Sequence, residues 1–160
     1  MKGDLWLLRI EDRHASPPPQ VDGLRLFHAI DAAASYAYAS APLSDDWLPL
    51  SCILDLAGAA AGRPAPVHYV VETDVLPEHE ADFNDWYDQE HLAGLAAVPG
   101  TVRASRYLID GGTPRYHACY ELVSPDVFDS PEWRAVRATA WSSRVRPAFR
   151  NTRRTMFTRA

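Results

Sequence analysis

Five side chains able to do chemistry fall into register in the second half of the chain. Residues 67–74 read Val-His-Tyr-Val-Val-Glu-Thr-Asp, and residues 115–122 alternate Tyr116, Ala118, Tyr120 and Leu122 against His117, Cys119 and Glu121. Both segments have the β-branched, aromatic, period-two character of strands. The pleat places Val67, Tyr69 and Val71 with the apolar residues of the second segment. It leaves His68, Glu72, His117, Cys119 and Glu121 on the opposite face. Ionisable groups on a covered sheet face are costly unless paired or hydrated. That face is therefore either wet or the lining of a polar cavity, where carboxylate–imidazole pairs form or a ligand binds. His, Glu and Cys are also metal ligands, but no tight spacing such as His-x-x-x-His occurs, and no metal is expected.

His91 is a separate candidate. It follows Tyr87 by one turn on a helical pattern, near the C-terminal end of that helix. The partial negative charge there favours the imidazolium and keeps the group titratable near neutrality. A histidine so placed can be a general acid or base, with Cys119 or Glu121 as auxiliary. It can equally cap backbone carbonyls or bond to a tyrosine. Trp86, Tyr87, Tyr107, Tyr116, Tyr120 and Trp141 suit either a pocket for a flat apolar ligand or the core itself. Cys119 is likewise either a thiol for chemistry or a small core residue. Charge is segregated: residues 67–90 hold eight acids and no Lys or Arg, and residues 133–160 hold eight arginines and no acid. This predicts ion pairs between elements. Alternatively, Arg144, Arg146, Arg150, Arg153 and Arg154 form an anion site.

The elements that must position these residues follow from the pattern. After the strand at 67–74, Pro77 and the acids Glu78, Glu80 and Asp82 open a helix carrying Phe83, Trp86, Tyr87, Glu90 and His91, ended by Pro99-Gly100. Residues 101–109 form a second strand, and Asp110-Gly111-Gly112-Thr113-Pro114 a hairpin turn. Ser130-Pro131 caps a second helix running to Pro147, and residues 151–158 make a last strand. The order β-α-β-β-α-β predicts an α+β, ferredoxin-like antiparallel sheet with two helices on one face. Residues 58–66, Gly-Ala-Ala-Ala-Gly-Arg-Pro-Ala-Pro, read as a linker. This divides the chain into residues 1–64 and a ferredoxin-like domain at 65–160.

The first 64 residues offer a strand at 4–11, with Trp6, Leu8 and Ile10 on one face, and another at 51–57. Between them lie either two strands, 23–31 and 36–41, or one amphipathic helix, 24–38. A faint internal echo links Val21-Asp22-Gly23 to Val98-Pro99-Gly100. The segment is thus either a decayed β-rich half-copy that has lost its first helix or an N-terminal extension covering a sheet face.

Phe83-Asn84-Asp85-Trp86-Tyr87-Asp88-Gln89-Glu90-His91, then Leu95 and Val98-Pro99-Gly100, resembles the dimeric α+β barrel superfamily, in particular its EthD-like branch. Arg106-Tyr107, Ser130-Pro131-Glu132-Trp133 and Arg146-Pro147 continue the likeness through about the last 94 residues. The resemblance implies a homodimer whose helix-free faces enclose a barrel, and a small-molecule ligand. Whether residues 1–64 replace the partner is left open. Relatives include lactone isomerases, polyketide-type cyclases and haem-degrading monooxygenases, so fold alone does not choose a reaction. His91 and Cys119 look like the helix histidine and third-strand cysteine of a methylmuconolactone isomerase. The site set is therefore His91, Cys119 and Glu121 for acid–base or covalent chemistry. Trp86, Tyr87, His68, Glu72, His117 and Tyr107 contact a small carbonyl or aromatic compound. A non-catalytic binding or assembly protein and a haem-degrading oxygenase are the alternatives.

Composition bounds the rest. The chain has 160 residues, 47% hydrophobic and 23% charged, an ordinary globular mix. A formal charge of −5 argues against nucleic acid as main partner. No apolar stretch approaches the roughly 20 residues of a membrane span. The start lacks the features of a signal peptide. A cytoplasmic protein is expected, with Cys52 and Cys119 as free thiols. No nucleotide-binding glycine loop, nucleophile elbow or paired-cysteine zinc motif appears, and no cofactor is implied.

Overall fold

The structure, a computed structural model, describes residues 5–12 and 14–160. Eight antiparallel strands close into one barrel: β1 (Leu5–Ile10), β2 (Arg25–Ala29), β3 (Ser35–Ala39), β4 (Leu48–Ala57), β5 (Val67–Val75), β6 (Thr101–Ile109), β7 (Tyr116–Leu122) and β8 (Phe149–Arg159). The strand order around the barrel is β1-β3-β2-β8-β5-β7-β6-β4. The second half, β8-β5-β7-β6, is the expected ferredoxin-like sheet with its helices on one face. The first half, β4-β1-β3-β2, repeats that strand order without helices. The helix alternative for residues 24–38 gives way to a hairpin, because β2 pairs with β8 on one side and β3 with β1 on the other.

This closure changes three sequence expectations. The helix-free face of β5–β8, which the resemblance assigns to a second subunit, is covered by strands β1–β4 of the same chain. Among the described residues, neither crossover of the first half carries a helix, where the sequence suggested loss of the first alone. The outer face of that half is covered instead by Trp47, packed on Ala37 and Ala39 with Trp6 and Leu8. Finally, residues 58–66 are a pinned connection inside one barrel. Gly58 donates its N–H to the Val102 carbonyl, and Ala60 to that of Thr101. A Cβ on Gly58 would meet the Thr101 carbonyl oxygen.

The first helix is not uniform. It runs as α1 (Glu80–Trp86), a π segment (Tyr87–His91) and α2 (Leu92–Ala96). A π segment inserts an extra residue into the helical turn and recurs at functional sites. The second helix is broken into α3 (Pro131–Arg137) and α4 (Ala140–Val145), with Ser130 and Thr139 as separate side-chain N-caps. Val67, Tyr69, Val71, Tyr116, Ala118, Tyr120 and Leu122 pack under these helices, as the pleat predicted. The acidic first helix does pair with the basic second one: Arg144 binds Asp82 at 3.0 Å. No helix among the described residues is long and apolar enough to cross a membrane.

Candidate functional site

Two sites result, one on each face of the β5–β7–β6 sheet. On the helix side, α1 and the π segment carry Trp86, Tyr87 and His91 onto the sheet. His91 stacks on Trp86 at 4.0 Å and meets Tyr87 edge-on at 5.4 Å. Arg106, buried on β6, lies 3.9 Å from the Tyr87 ring centroid and donates to Asn84 at 3.0 Å, which fixes the tyrosine from behind. Between these groups and the sheet is a narrow, partly open cavity of about 20 Å³ that also touches Tyr120, Trp133, Arg137, Arg146 and Arg154.

The polar groups around this cavity are under-used. The Nδ1 of His91 and the Nε1 of Trp133 are buried without a hydrogen-bond partner. The Tyr120 hydroxyl interacts with Tyr87 yet makes no well-formed hydrogen bond. Among the described residues, Arg137, Arg146 and Arg154 form no ion pair with a carboxylate; Arg146 spends one N–H on the Arg137 carbonyl. Buried donors without partners are costly, and they lie beside guanidinium groups that are half-buried at Arg137 and Arg146 and exposed at Arg154.

His91 therefore departs from its expected position and state. It sits inside the helix, at the end of the π segment, with α2 still to follow, so the helix C-terminus does not stabilise its charge. Burial first, then Arg146, Arg137 and Arg106, pushes its pKa down to about 3. The imidazole is neutral at physiological pH.

The other site is the barrel interior. His68 and Glu72 from β5, and His117 and Cys119 from β7, project inward and are joined by residues of the first half. Glu72, fully buried, accepts from Arg9 Nη2 at 2.6 Å and from the Tyr36 hydroxyl at 2.5 Å. His117 Nδ1 lies 3.5 Å from the same carboxylate. The Tyr38 hydroxyl is 2.9 Å from His117 Nε2, 3.0 Å from His68 Nε2 and 3.9 Å from the Cys119 sulfur. Burial would raise the Glu72 carboxyl, but His117, Arg9 and Tyr36 outweigh it and hold the pKa at about 2. Burial opposes the His117 imidazolium, but Cys119 and Glu72 push its pKa up to about 9. His68 goes the other way: burial, with Arg25 and His117, takes it well below its ordinary value. At the mouth, Glu121 is paired with Arg25 at 2.9 Å, and Tyr107 lines the opening.

The candidates thus divide. Trp86, Tyr87 and His91 meet on the helix side. His68, Glu72, His117, Cys119, Tyr107 and Glu121 meet inside the barrel. His91 is not brought together with Cys119 or Glu121, because the sheet lies between them, and the isomerase-like pairing of His91 with Cys119 has no geometric basis. Of the five arginines singled out, Arg144 is paired with Asp82, Arg150 binds backbone carbonyls and Arg153 donates to Tyr36. Only Arg146 and Arg154 reach the helix-side cavity. Arg137, Trp133, Arg9, Tyr36 and Tyr38 were missed. For the last two, the alternation Ser35-Tyr36-Ala37-Tyr38-Ala39 was the available signal. No group of metal-holding residues forms among the described residues.

No family model matches this sequence, and no curated protein matches it. Solved structures do. An uncharacterised ferredoxin-fold protein related to antibiotic biosynthesis monooxygenases, from Listeria monocytogenes, superposes with a TM-score of 0.64 at 9% identity, covering 99% of this chain and 95% of that one. The fold is that of the monooxygenase-like ferredoxin-fold proteins. An anthrone oxidase-like protein matches with a TM-score of 0.63 at 13% identity over 99% of this chain and 92% of that one. A haem-degrading enzyme from Listeria monocytogenes matches at 0.62 and 9% identity, over 96% and 98%. At these identities the likeness is one of fold.

Proposed function

We propose that the helix-side pocket widens at its arginine rim to bind a small aromatic compound as its anion, a phenolate, enolate or carboxylate, with His91 as the base that takes the proton. One observation carries this: three arginines without carboxylate partners converge with the orphaned His91 and Trp133 nitrogens on one cavity. The aromatic walls Trp86, Tyr87 and Trp133 suit a flat ligand. Arg137 and Arg146, half-buried, and Arg154, exposed at the rim, stabilise negative charge as it develops. In the empty pocket burial, with Arg146, Arg137 and Arg106, keeps His91 unprotonated. Once a substrate anion forms, it offsets the guanidinium charges and restores the proton affinity of the imidazole. Ionisation of ligand and histidine is thereby coupled.

The anthrone oxidase-like relative suggests a probe, since anthrone enolises to a phenol. Its oxidation, anthrone plus O₂ giving anthraquinone plus water, is the turnover to assay. Oxygen uptake abolished in His91→Gln with ligand affinity kept within a few-fold supports the acid–base reading. Affinity without uptake in either protein leaves a binding module, and no affinity for anthrone, phenols or aryl carboxylates refutes the pocket assignment.

The haem-degrading relative raises the question of haem. The residues here do not fit it. The helix-side cavity, about 20 Å³, falls far below the 300–1,000 Å³ of typical ligand sites and has no room for a macrocycle. Haem titration is expected to leave no Soret shift. We further read residues 1–64 as a degenerate copy of the 65–160 unit, on the strength of the shared strand order. The finer likeness to the EthD-like branch rests on Phe83–His91 with Val98-Pro99-Gly100.

A further inference from the structure

The mouth of the barrel offers more room than the helix side. A half-open groove of about 580 Å³ lies there, bordered by residues of β1, β2, β4 and β6. That volume is in the usual range of small-molecule sites. Leu5, Cys52, Ile53, Leu54 and Tyr107 give it a mainly apolar wall. The pairing of β4 with β6 shifts register between Cys52 and Leu54. Such bulges bend a strand at a barrel rim and recur beside functional sites.

The charges on this groove are already matched. Arg103 grips Asp55 through two hydrogen bonds of 2.7 and 2.8 Å, and Arg25 meets Glu121 at 2.9 Å. Among the described residues the groove therefore carries no unpaired charge, in contrast to the three arginines of the helix side. A carboxylate entering here must displace Asp55 or Glu121, or lose water without gaining a partner. An uncharged ligand meets neither cost.

Leu5, Arg25, Arg103 and Tyr107 also border a recess that runs inward to His68, Ser105 and Cys119. Its room is about 10 Å³, enough for one water-sized group and no more. His68, only 2% exposed, lines it, and its Nδ1 has no hydrogen-bond partner. A hydroxyl both donates and accepts, so it satisfies that nitrogen in either tautomer. One oxygen atom is also all that the recess admits.

We propose that the barrel mouth is a second binding site, for an uncharged and largely apolar alcohol. The ring or chain lies in the groove against Leu5, Ile53, Leu54 and Tyr107, and the hydroxyl enters the recess toward His68. Selectivity is the reverse of that on the helix side, which takes an anion.

Cys52, half-buried on the groove wall, reports occupancy. The full chain is alkylated with iodoacetamide at neutral pH in the presence of naphthylmethanol, its methyl ether or naphthoate, and modification of Cys52 is followed by peptide mapping. Naphthylmethanol is expected to slow the reaction at a concentration about tenfold below that of the ether, whose oxygen cannot donate and whose methyl group does not fit the recess. Naphthoate should protect least. Equal protection by the ether, better protection by naphthoate, or no protection by any of the three overturns the proposal. Ser40→Trp, at an exposed position on the groove, puts a ring where the ligand would lie. It should abolish protection with unchanged circular dichroism, and protection at the parent concentration also overturns the proposal. Naphthylmethanol does not ionise at neutral pH, so failure here leaves the anion reading at His91 standing, and failure of that reading leaves this one.

Discussion

The Tyr38 hydroxyl serves three neighbours at once, and the two histidines on it are held in opposite charge states by their surroundings. His117 faces the Glu72 carboxylate, whereas His68 stacks on Phe27 at 4.4 Å and faces no anion. This has a consequence for stability against pH. His117, raised to about 9, contributes stability that is complete below 6.5 and is lost as pH rises through 9. His91, lowered to about 3, works in reverse: below 6.5 the unfolded chain takes up a proton that the folded chain refuses. His68 does the same. Glu72, held at about 2 against an ordinary 4.5, adds a loss that begins below 4.5. Stability should therefore peak near pH 6.5. The acid side should fall at about 1.4 kcal/mol per pH unit for His91 alone and more steeply with His68, and the alkaline side at about 1.4, for His117. Urea midpoints from pH 4.5 to 9 check this, and a flat profile between 6.5 and 9 excludes a charged His117. Removing the central anion is more severe. Glu72→Gln leaves Arg9 and His117 buried without a counter-charge, a loss of about 3–5 kcal/mol by denaturation.

Among the elements, strands were legible and helix irregularities were not. Period-two alternation in β5 and β7 sorted inward from helix-facing residues correctly, since one slip would turn every side chain to the wrong face. The first half was ambiguous because 24–38 mixes strand formers with the helix-tolerant Asp31-Ala32-Ala33-Ala34, and only pairing with β1 and β8 decides it. The π segment was invisible because the aromatic spacing from Phe83 to Tyr87 is ordinary, and the extra residue appears only in the backbone. The break before Thr139 was similarly masked by a continuous apolar pattern. Thr139 both caps α4, accepting from the Ser142 N–H at 3.1 Å, and donates to Glu90 at 2.8 Å on the π segment. Thr139→Ala should cost about 1 kcal/mol in a denaturation midpoint, and it should loosen anion binding because it frees the π segment. The supposed linker gives a sharper test. In a flexible linker Gly58→Ala is neutral or slightly stabilising. Here its Cβ would lie 2.0 Å from the Thr101 carbonyl oxygen, which is backbone and cannot step aside. We expect a loss of about 1–3 kcal/mol or more, measured by thermal or urea unfolding.

At the scale of the whole molecule, the barrel decides what assembles with what. The residues left the polar face of β5 and β7 as either wet or the lining of a cavity, and closure of the barrel turns it inward. The other wall, Arg9, Tyr36 and Tyr38, lies in the segment whose topology the residues left open. Arg9 and Tyr36 satisfy Glu72, and Tyr38 satisfies both His68 and His117, so the two halves share one set of buried hydrogen bonds. With β4 on β6 and β2 on β8, neither sheet keeps a free edge for another copy. The full chain should therefore run as a monomer of 17.8 kDa in light scattering. A fragment of residues 65–160 presents the opposite case. It exposes His68, Glu72, His117 and Cys119 on one face and leaves the edges of β6 and β8 unpaired. A second copy of the fragment offers the same strand order to cover that face, in the isologous manner of a twofold interface. The fragment is expected to be dimeric at micromolar concentration and to unfold on dilution. A folded, monomeric fragment would show that the first half is dispensable cover. A dimeric one would show that a single chain has taken over, in its first half, the place a second subunit fills for the second.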